Sequence, residues 1–204
     1  QRWLLAHGAQ LRLAERAHVE RHPRGGWAVA GQRFDDAILA TQPTEAARLV
    51  RESGVPAADW LARADALAFE AIATVYATGG PRLPLPMLAL PSGEGAPAQF
   101  VFDRGQLGGP PGLLAFVVSA SHADKDTLER EVIAQAAGLG WKLQPLKTIV
   151  EKRATFACVP GLRRPAVAIA PGLWACGDYV EGPYPATLEG AVRAGLAVAE
   201  RLGS

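Results

Sequence analysis

The stretch Gly172-Leu173-Trp174-Ala175-Cys176-Gly177-Asp178, followed by Tyr184-Pro185-Ala186-Thr187-Leu188-Glu189-Gly190-Ala191-Val192-Arg193, decides the fold. Leu173 to Cys176 is an apolar run bounded by Gly172 and Gly177, which reads as a short buried strand ending in a Gly-Asp turn. Pro185 fits the first turn of a helix, and small and apolar residues carry that helix to Leu202. A strand whose carboxyl end bears a carboxylate, continued by a helix, offers a ligand an acceptor group and the positive end of a helix dipole. Gly177 permits close backbone approach, Asp178 can accept from hydroxyls, and Gly190, Ala191, Ala194 and Gly195 allow tight packing of the helix. An ordinary strand-turn-helix with a capping Asp has the same spacing, so spacing alone leaves both readings open.

Working outward, the beginning of the chain has a similar texture. Trp3 to His7 reads as the last turn of a helix stopped by Gly8, so the chain opens in mid-fold, and Gln1 stands where an initiator Met is expected. Leu11, Leu13, Ala17 and Val19 give an interrupted alternation down to Arg21, with Arg16-Ala17-His18-Val19 in a predicted strand. Pro23-Arg24-Gly25-Gly26 is a turn, and Trp27-Ala28-Val29 returns as the second arm of a hairpin. Ala37-Ile38-Leu39-Ala40 reads as a buried strand, and Pro43 opens a helix containing Ala46, Ala47, Leu49 and Val50.

The middle differs. Residues 60–66 are ambiguous, whereas 69–76 have the β-branched and aromatic content of a strand. Residues 81–91 hold four prolines among five large apolar side chains, which excludes a helix interior or a central strand and predicts an extended loop. Either it is plain packing, or it is a lipid-facing entrance on a membrane surface. Residues 99–102 and 113–120 are predicted strands, 124–137 a helix and 142–150 another strand. The fold class is therefore α/β, with mixed sheets.

Composition bounds the function. With 204 residues, 49% of them hydrophobic and 20% charged, the chain can bury a real core and is not a disordered segment. The net charge of +1 comes from 21 basic and 20 acidic residues spread along the chain, which gives no field for nucleic acid. Cys158 and Cys176 are too few for a secreted disulfide framework and point to a reducing, cytoplasmic compartment. His18 and His22 sit in a predicted strand without a third ligand, which argues against a metal site. Ser119, Ser121 and His122 lack the Gly-x-Ser-x-Gly elbow of a hydrolase.

The 172–178 run with the 184–193 run resembles the C-terminal flavin-binding signature of the flavin-containing amine oxidase and phytoene desaturase superfamily. Phe102-Asp103-Arg104-Gly105, Val117-Val118-Ser119-Ala120-Ser121 and Glu151-Lys152-Arg153-Ala154-Thr155-Phe156-Ala157 are similar to one branch of it. That branch is the squalene-associated FAD-dependent desaturases, also called hydroxysqualene dehydroxylases. The resemblance implies the C-terminal part of an FAD/NAD(P)-binding Rossmann-like domain plus a mixed-sheet substrate domain. The expected division is 1–53 and 154–204 for the FAD-binding part and 54–153 for the substrate-binding part. Its departure is that no Gly-x-Gly-x-x-Gly follows a strand anywhere, so the dinucleotide-binding βαβ unit is missing and a preceding N-terminal segment is the expected partner.

On this resemblance Asp178, with Gly177, holds the ribityl or pyrophosphate region of FAD. The peptide N–H groups around Thr187, Leu188 and Glu189 face the pyrimidine edge of the flavin, where the helix dipole favours the reduced anion. Ala17 makes a backbone contact to adenine, and Tyr184 is either near the ring or a rim aromatic. The implied activity is flavin-mediated redox on an isoprenoid lipid, hydroxysqualene to squalene or desaturase-like, with no catalytic acid or base assigned. Asp103, Arg104, Glu151, Lys152 and Arg153 are either polar contacts or ordinary structural charges. The chain alone is expected to bind FAD weakly or not at all. The alternative is a non-catalytic α/β module that kept the scaffold without the flavin.

Overall fold

The computed structural model describes residues 1–120 and 123–203. Residues 1–67 contribute α1 (Arg2–Ala6), β1 (Val19–Arg21), β2 (Trp27–Val29), β3 (Gln32–Phe34), β4 (Ala37–Leu39), α2 (Pro43–Glu52) and α3 (Ala58–Asp65). Then follow β5 (Phe69–Thr78), β6 (Met87–Ala89), β7 (Phe100–Asp103), a 3-10 turn (Arg104–Leu107), β8 (Leu114–Ser119), α4 (Lys125–Gly138) and β9 (Gln144–Phe156). The last elements are β10 (Ala168–Ala170), β11 (Leu173–Ala175) and α5 (Leu188–Leu202). The chain forms two compact units, residues 1–67 together with the stretch from Cys158 onward, and residues 68–157. Both are mixtures of helix and strand.

The first unit holds two three-stranded sheets. One is the antiparallel meander β1-β2-β3. The other has the order β10-β11-β4, in which β11 pairs β4 in parallel with Leu173, Trp174 and Ala175 opposite Ala37, Ile38 and Leu39. Trp27 links hairpin to sheet: it is fully buried and its Nε1 donates to the Pro171 carbonyl at 3.2 Å.

Three expectations for this unit are corrected. The predicted strand over 16–19 begins only at Val19, because Ala30 and Gly31 take positive φ and turn the chain from β2 into β3. Ala17 is left outside it, exposed. Residues 54–67, expected in the middle segment, belong to the first unit: Trp60 is buried and its Nε1 donates to the Ala166 carbonyl at 2.8 Å. The last helix starts at Leu188 rather than at Pro185, because Ala186 sits at φ +57° and Thr187 is extended.

The second unit is a five-stranded sheet of order β6-β7-β8-β5-β9 with α4 on one face. Leu128, Val132 and Ala136, spaced along one face of α4, join Val75, Val101, Leu114 and Phe116 in its core. Asp124 caps the helix by accepting from the N–H groups of Asp126 and Thr127 at 3.1 and 3.0 Å. β9 runs to Phe156, past the expected end near 150, because it pairs with β5 from Thr78–Gln144 to Phe69–Phe156.

Within 81–91 the chain is extended and contributes only the short edge strand β6. Leu83 is buried rather than solvent- or lipid-facing, since its N–H donates to Asp103 Oδ2 at 3.1 Å and its carbonyl accepts from Gln106 Nε2 at 2.8 Å; Leu85 and Met87 stay exposed. Asp103 is itself buried and also accepts from Gly105 N and Gln106 Nε2, which makes it a structural carboxylate.

This lock has a pH signature. The Gln106 amide, working against the cost of burial, and the N–H groups of Leu83 and Gly105 hold the Asp103 carboxyl below its ordinary value of 3.8. Asp124 is lowered likewise, mainly by Thr127. A depressed carboxylate stabilises fully above its unfolded value, and that contribution is lost as pH falls through the folded value. Thermal melts followed by circular dichroism should therefore show Tm falling between about pH 5 and pH 2, less steeply in Asp103→Asn. An identical acid slope in that variant would contradict the assignment.

Candidate functional site

Because β4 and β11 are parallel, their carboxyl ends open side by side, and Cys176 N donates to the Leu39 carbonyl at 3.1 Å. β4 leads through Ala40-Thr41-Gln42 into α2, with Pro43 at its first turn, and β11 leads through Cys176-Gly177-Asp178 and a longer loop into α5. In open α/β sheets ligands bind in the crevice outside such strand ends.

Gly177 is fixed by a close approach. Its φ is +156°, and a side-chain carbon there would lie 2.7 Å from the Tyr179 ring. Tyr179 is 1% exposed, and its hydroxyl is buried without a hydrogen-bond partner among the described residues. Burial, with the neighbouring Cys176 and Asp178, pushes that phenol well above its ordinary range, so it stays a donor. Burial also raises the Cys176 thiol and the Asp178 carboxyl. For Asp178 the nearby Arg164 and its own N–H oppose the effect.

Arg164 shapes the loop. Its Nη1 donates to the carbonyls of Val180 at 2.6 Å and Asp178 at 3.3 Å, and its Nη2 donates to that of Gly182. Glu181 N donates to the Pro165 carbonyl at 2.8 Å, and Arg63 of α3 pairs with the Glu181 carboxylate at 2.7 Å. The loop is thereby held from both sides.

At the start of α5, Thr187 is the N-cap. Its Oγ1 accepts from Gly190 N at 3.1 Å and donates to the Tyr184 carbonyl at 2.6 Å. Ala191 N donates to the Thr187 carbonyl, and the N–H groups of Leu188 and Glu189 in the first turn have no partner among the described residues. Tyr184 and Ala186 both sit at positive φ, +56° and +57°, strain of order 1–2 kcal/mol each that this tight corner holds in place. Tyr184 is half-exposed under the Arg193 guanidinium, 5.0 Å from its ring centre, and Glu189 pairs with Arg193 at 2.6 Å. The Leu188 side chain points to solvent at 88% exposure.

Gly177, Asp178, Tyr184, Thr187, Leu188 and Glu189 thus meet along one strand-end loop and helix start. Ala17 does not join them by any hydrogen bond. Its carbonyl accepts from Arg48 Nη2 at 3.5 Å, and it lines a cavity of about 510 Å³ with Arg12, Glu15, Val29, Gln32 and Phe34. His18 Nδ1 pairs with Glu52 at 3.3 Å, and His22 Nδ1 accepts from Arg24 N at 3.2 Å. Ser121 and His122 lie outside the described residues.

Sequence reasoning missed Arg164 and Tyr179. Arg164 is one of two adjacent arginines before a proline, and nothing local marks which of them turns inward. Tyr179 follows the Gly-Asp turn directly, so a bulky residue beside an obligatory glycine was the available signal.

Comparison with known proteins puts a class on this arrangement. The fold is like that of an oxidoreductase from Methanosarcina mazei, with a TM-score of 0.63 at 16% identity over 90% of this chain and 48% of that one. It is also like the PF1083 protein from Pyrococcus furiosus, with a TM-score of 0.64 at 14% identity over 92% of this chain and 46% of that one. The likeness is one of fold: a mixed α/β arrangement shared with these two structures. In sequence, the chain is 36% identical over 84 residues to the hydroxysqualene dehydroxylase of Rhodopseudomonas palustris, which is 38% of this chain and 20% of that protein. Its identity to the hydroxysqualene dehydroxylase of Sinorhizobium fredii is 35% over 71 residues, 33% of this chain and 17% of that protein. No protein-family model matches the chain. The match therefore spans about a fifth of these relatives' length, a partial similarity that supports a link at the level of the superfamily.

Proposed function

We propose that the chain is part of an FAD-dependent oxidoreductase acting on an isoprenoid lipid, by hydroxysqualene-to-squalene or desaturase-like chemistry. The carrying observation is the parallel β4–β11 pair, whose carboxyl ends present Gly177-Asp178 beside the free N–H groups that open α5. In this reading the first unit is the flavin-binding part and the second the substrate-binding part. The partial sequence match to hydroxysqualene dehydroxylases supports the substrate class.

The residues present fit the hydroxyl-bearing and electron-rich parts of such a cofactor. The half-buried Asp178 carboxylate, with the Arg164 charge nearby, makes no side-chain hydrogen bond among the described residues and can accept from ribityl hydroxyls, and Gly177 exposes backbone next to it. The N–H groups of Leu188 and Glu189 stabilise negative charge on a ring edge, a helix-dipole effect of about 0.3–1 kcal/mol. Thr187 holds that helix start in place, Tyr184 offers an aromatic rim, and the Ala17 backbone lies at the rim of the hairpin cavity. When bound, the two-electron-reduced form of FAD, recharged by an external electron donor, would supply the hydride that replaces the substrate hydroxyl, which leaves as water with a proton; for desaturase-like chemistry the oxidised form would instead accept a hydride. The two free cysteines, Cys158 exposed, suit a reducing cytoplasmic setting.

The second reading is a scaffold that kept the fold without binding flavin. FAD titration of the complete gene product separates the two. Asp178→Ala should weaken binding at least about tenfold, and Thr187→Val, which removes the cap, by a smaller factor. Tight binding unaffected by Asp178→Ala would sink this assignment of the site, and no binding at all would favour the scaffold.

A further inference from the structure

β9 ends the order β6-β7-β8-β5-β9 and pairs with β5 alone, so its other side has no strand among the described residues. The pairing is regular from Lys147 opposite Tyr76 to Glu151 opposite Ile72, and its register shifts on either side of that run. Lys147-Thr148-Ile149-Val150-Glu151 is therefore the straight part of the edge. An uncovered straight edge is a template for another strand, and proteins blunt such edges with bulges, prolines and charges. Here Pro145 and the two register shifts blunt only the flanks.

The hydrogen-bonding phase of the run follows from the rest of the sheet. Asp103 N donates to the Pro86 carbonyl and Arg104 N to the Leu113 carbonyl, both at 2.9 Å, so successive residues bond to opposite neighbours. Carried through the registers of β8 and β5, that alternation turns the peptide groups of Lys147, Ile149 and Glu151 toward β5 and those of Thr148 and Val150 outward. The side chains alternate as well. Thr148 and Val150 face α4, where Thr148 Oγ1 donates to Glu129 Oε2 at 2.5 Å and Val150 packs on the core. Lys147, Ile149 and Glu151 share the opposite face; the two charged residues are exposed, and Ile149 is 44% exposed. Neither Lys147 nor Glu151 has an ion-pair partner among the described residues, and Glu151 Oε1 accepts from Arg153 N at 3.2 Å.

The charges of this run are antisymmetric about Ile149. A second copy related by a two-fold axis at Ile149 runs antiparallel and sets Lys147 of each copy opposite Glu151 of the other. The same axis sets Thr148 opposite Val150, the residues whose peptide groups point outward, so each such pair exchanges both N–H···O bonds. Ile149 then meets its own copy at a non-hydrogen-bonded position, where side chains come closest. Centring the axis on Val150 instead would oppose Lys147 to Arg153, and centring it on Thr148 would oppose Glu151 to Pro145. Charge thus selects one register.

We propose that the β9 edge is a self-association surface: a second copy of this chain pairs antiparallel along Lys147 to Glu151 and joins two five-stranded sheets into one. So short a run buries less than the roughly 1,600 Å² of a standard interface, which makes the dimer a weak, concentration-dependent one. The proposal does not depend on flavin, so it stands or falls separately from the reading above.

Sedimentation equilibrium of the complete gene product without added FAD, over about 1–200 µM, should show a reversible monomer–dimer equilibrium. Lys147→Glu alone and Glu151→Lys alone each place like charges opposite one another at both ends, and each should weaken the dimer at least about tenfold. An equimolar mixture of the two single variants restores both opposite-charge pairs, as does the double exchange Lys147→Glu with Glu151→Lys, and both should recover the wild-type affinity. Circular dichroism should be unchanged throughout, both positions being exposed. A product that stays monomeric over this range overturns the proposal. So does a dimer indifferent to the single reversals, or one that neither the mixture nor the double exchange restores.

Discussion

Gly190→Ala should lower the stability of the chain by about 2–3 kcal/mol, although replacing glycine by alanine inside a helix ordinarily adds about 0.5–1 kcal/mol. The reversal comes from packing. A side-chain carbon on Gly190 would lie 2.2 Å from the Tyr184 carbonyl oxygen and 3.3 Å from that of Pro183, and both are backbone atoms that cannot swing aside. The Tyr184 carbonyl is also the acceptor for the Thr187 hydroxyl, so pushing it away loosens the cap of α5. Gly195, one turn further along the same helix, meets nothing within 4 Å and is the internal control. Gly195→Ala should stabilise by about 0.5–1 kcal/mol. Urea unfolding followed by circular dichroism measures both, and a stabilising Gly190→Ala would show that the corner at 183–187 does not grip the helix as described.

Trp27→Ala should cost more, about 3–5 kcal/mol, the usual range for emptying a fully buried aromatic site. Trp27 touches the sheet as well as filling the core, since its Nε1 donates to Pro171, just before β11, and its ring takes the Arg21 guanidinium at 4.5 Å. Trp27→Phe retains most of the apolar volume but leaves the Pro171 carbonyl without its partner, so it should fall between wild type and Trp27→Ala. A Trp27→Ala chain as stable as wild type would mean that the hairpin contributes nothing to the parallel sheet.

The sequence made the decisive unit legible because its signals are local. An apolar run between glycines, a Gly-Asp turn and a run of small and apolar residues mark strand, turn and helix locally, though not where the helix begins. The 23–26 turn and the Pro43 helix start are marked locally as well. What failed depends on tertiary neighbours. Arg16 to His18 has a strand's alternation, but the ladder ends where Ala30 N donates to the His18 carbonyl at 3.4 Å, because the chain turns there from β2 into β3. Pro185 is a good first-turn residue, yet Tyr184 and Ala186 adopt positive φ because the corner, and not propensity, sets their conformation. Trp60 gave no local sign of its unit, since that follows from a hydrogen bond to Ala166, more than a hundred residues away. Leu83 looked like part of a greasy loop and is buried because Asp103 and Gln106 hold its backbone. Of the candidate site, the side chains on the strand end and helix start were readable, whereas the Arg164 clamp and the buried Tyr179 hydroxyl emerge only once the loop is folded.

In the proposed function, the strand end at Gly177-Asp178 and the start of α5 form one wall of a flavin site. Its most direct test is the visible absorption spectrum of the complete gene product, purified after reconstitution with FAD and desalting. An oxidised-flavin spectrum at about one FAD per chain is expected, with the isolated 204-residue chain colourless or retaining little flavin. A complete product that stays colourless after reconstitution would contradict it.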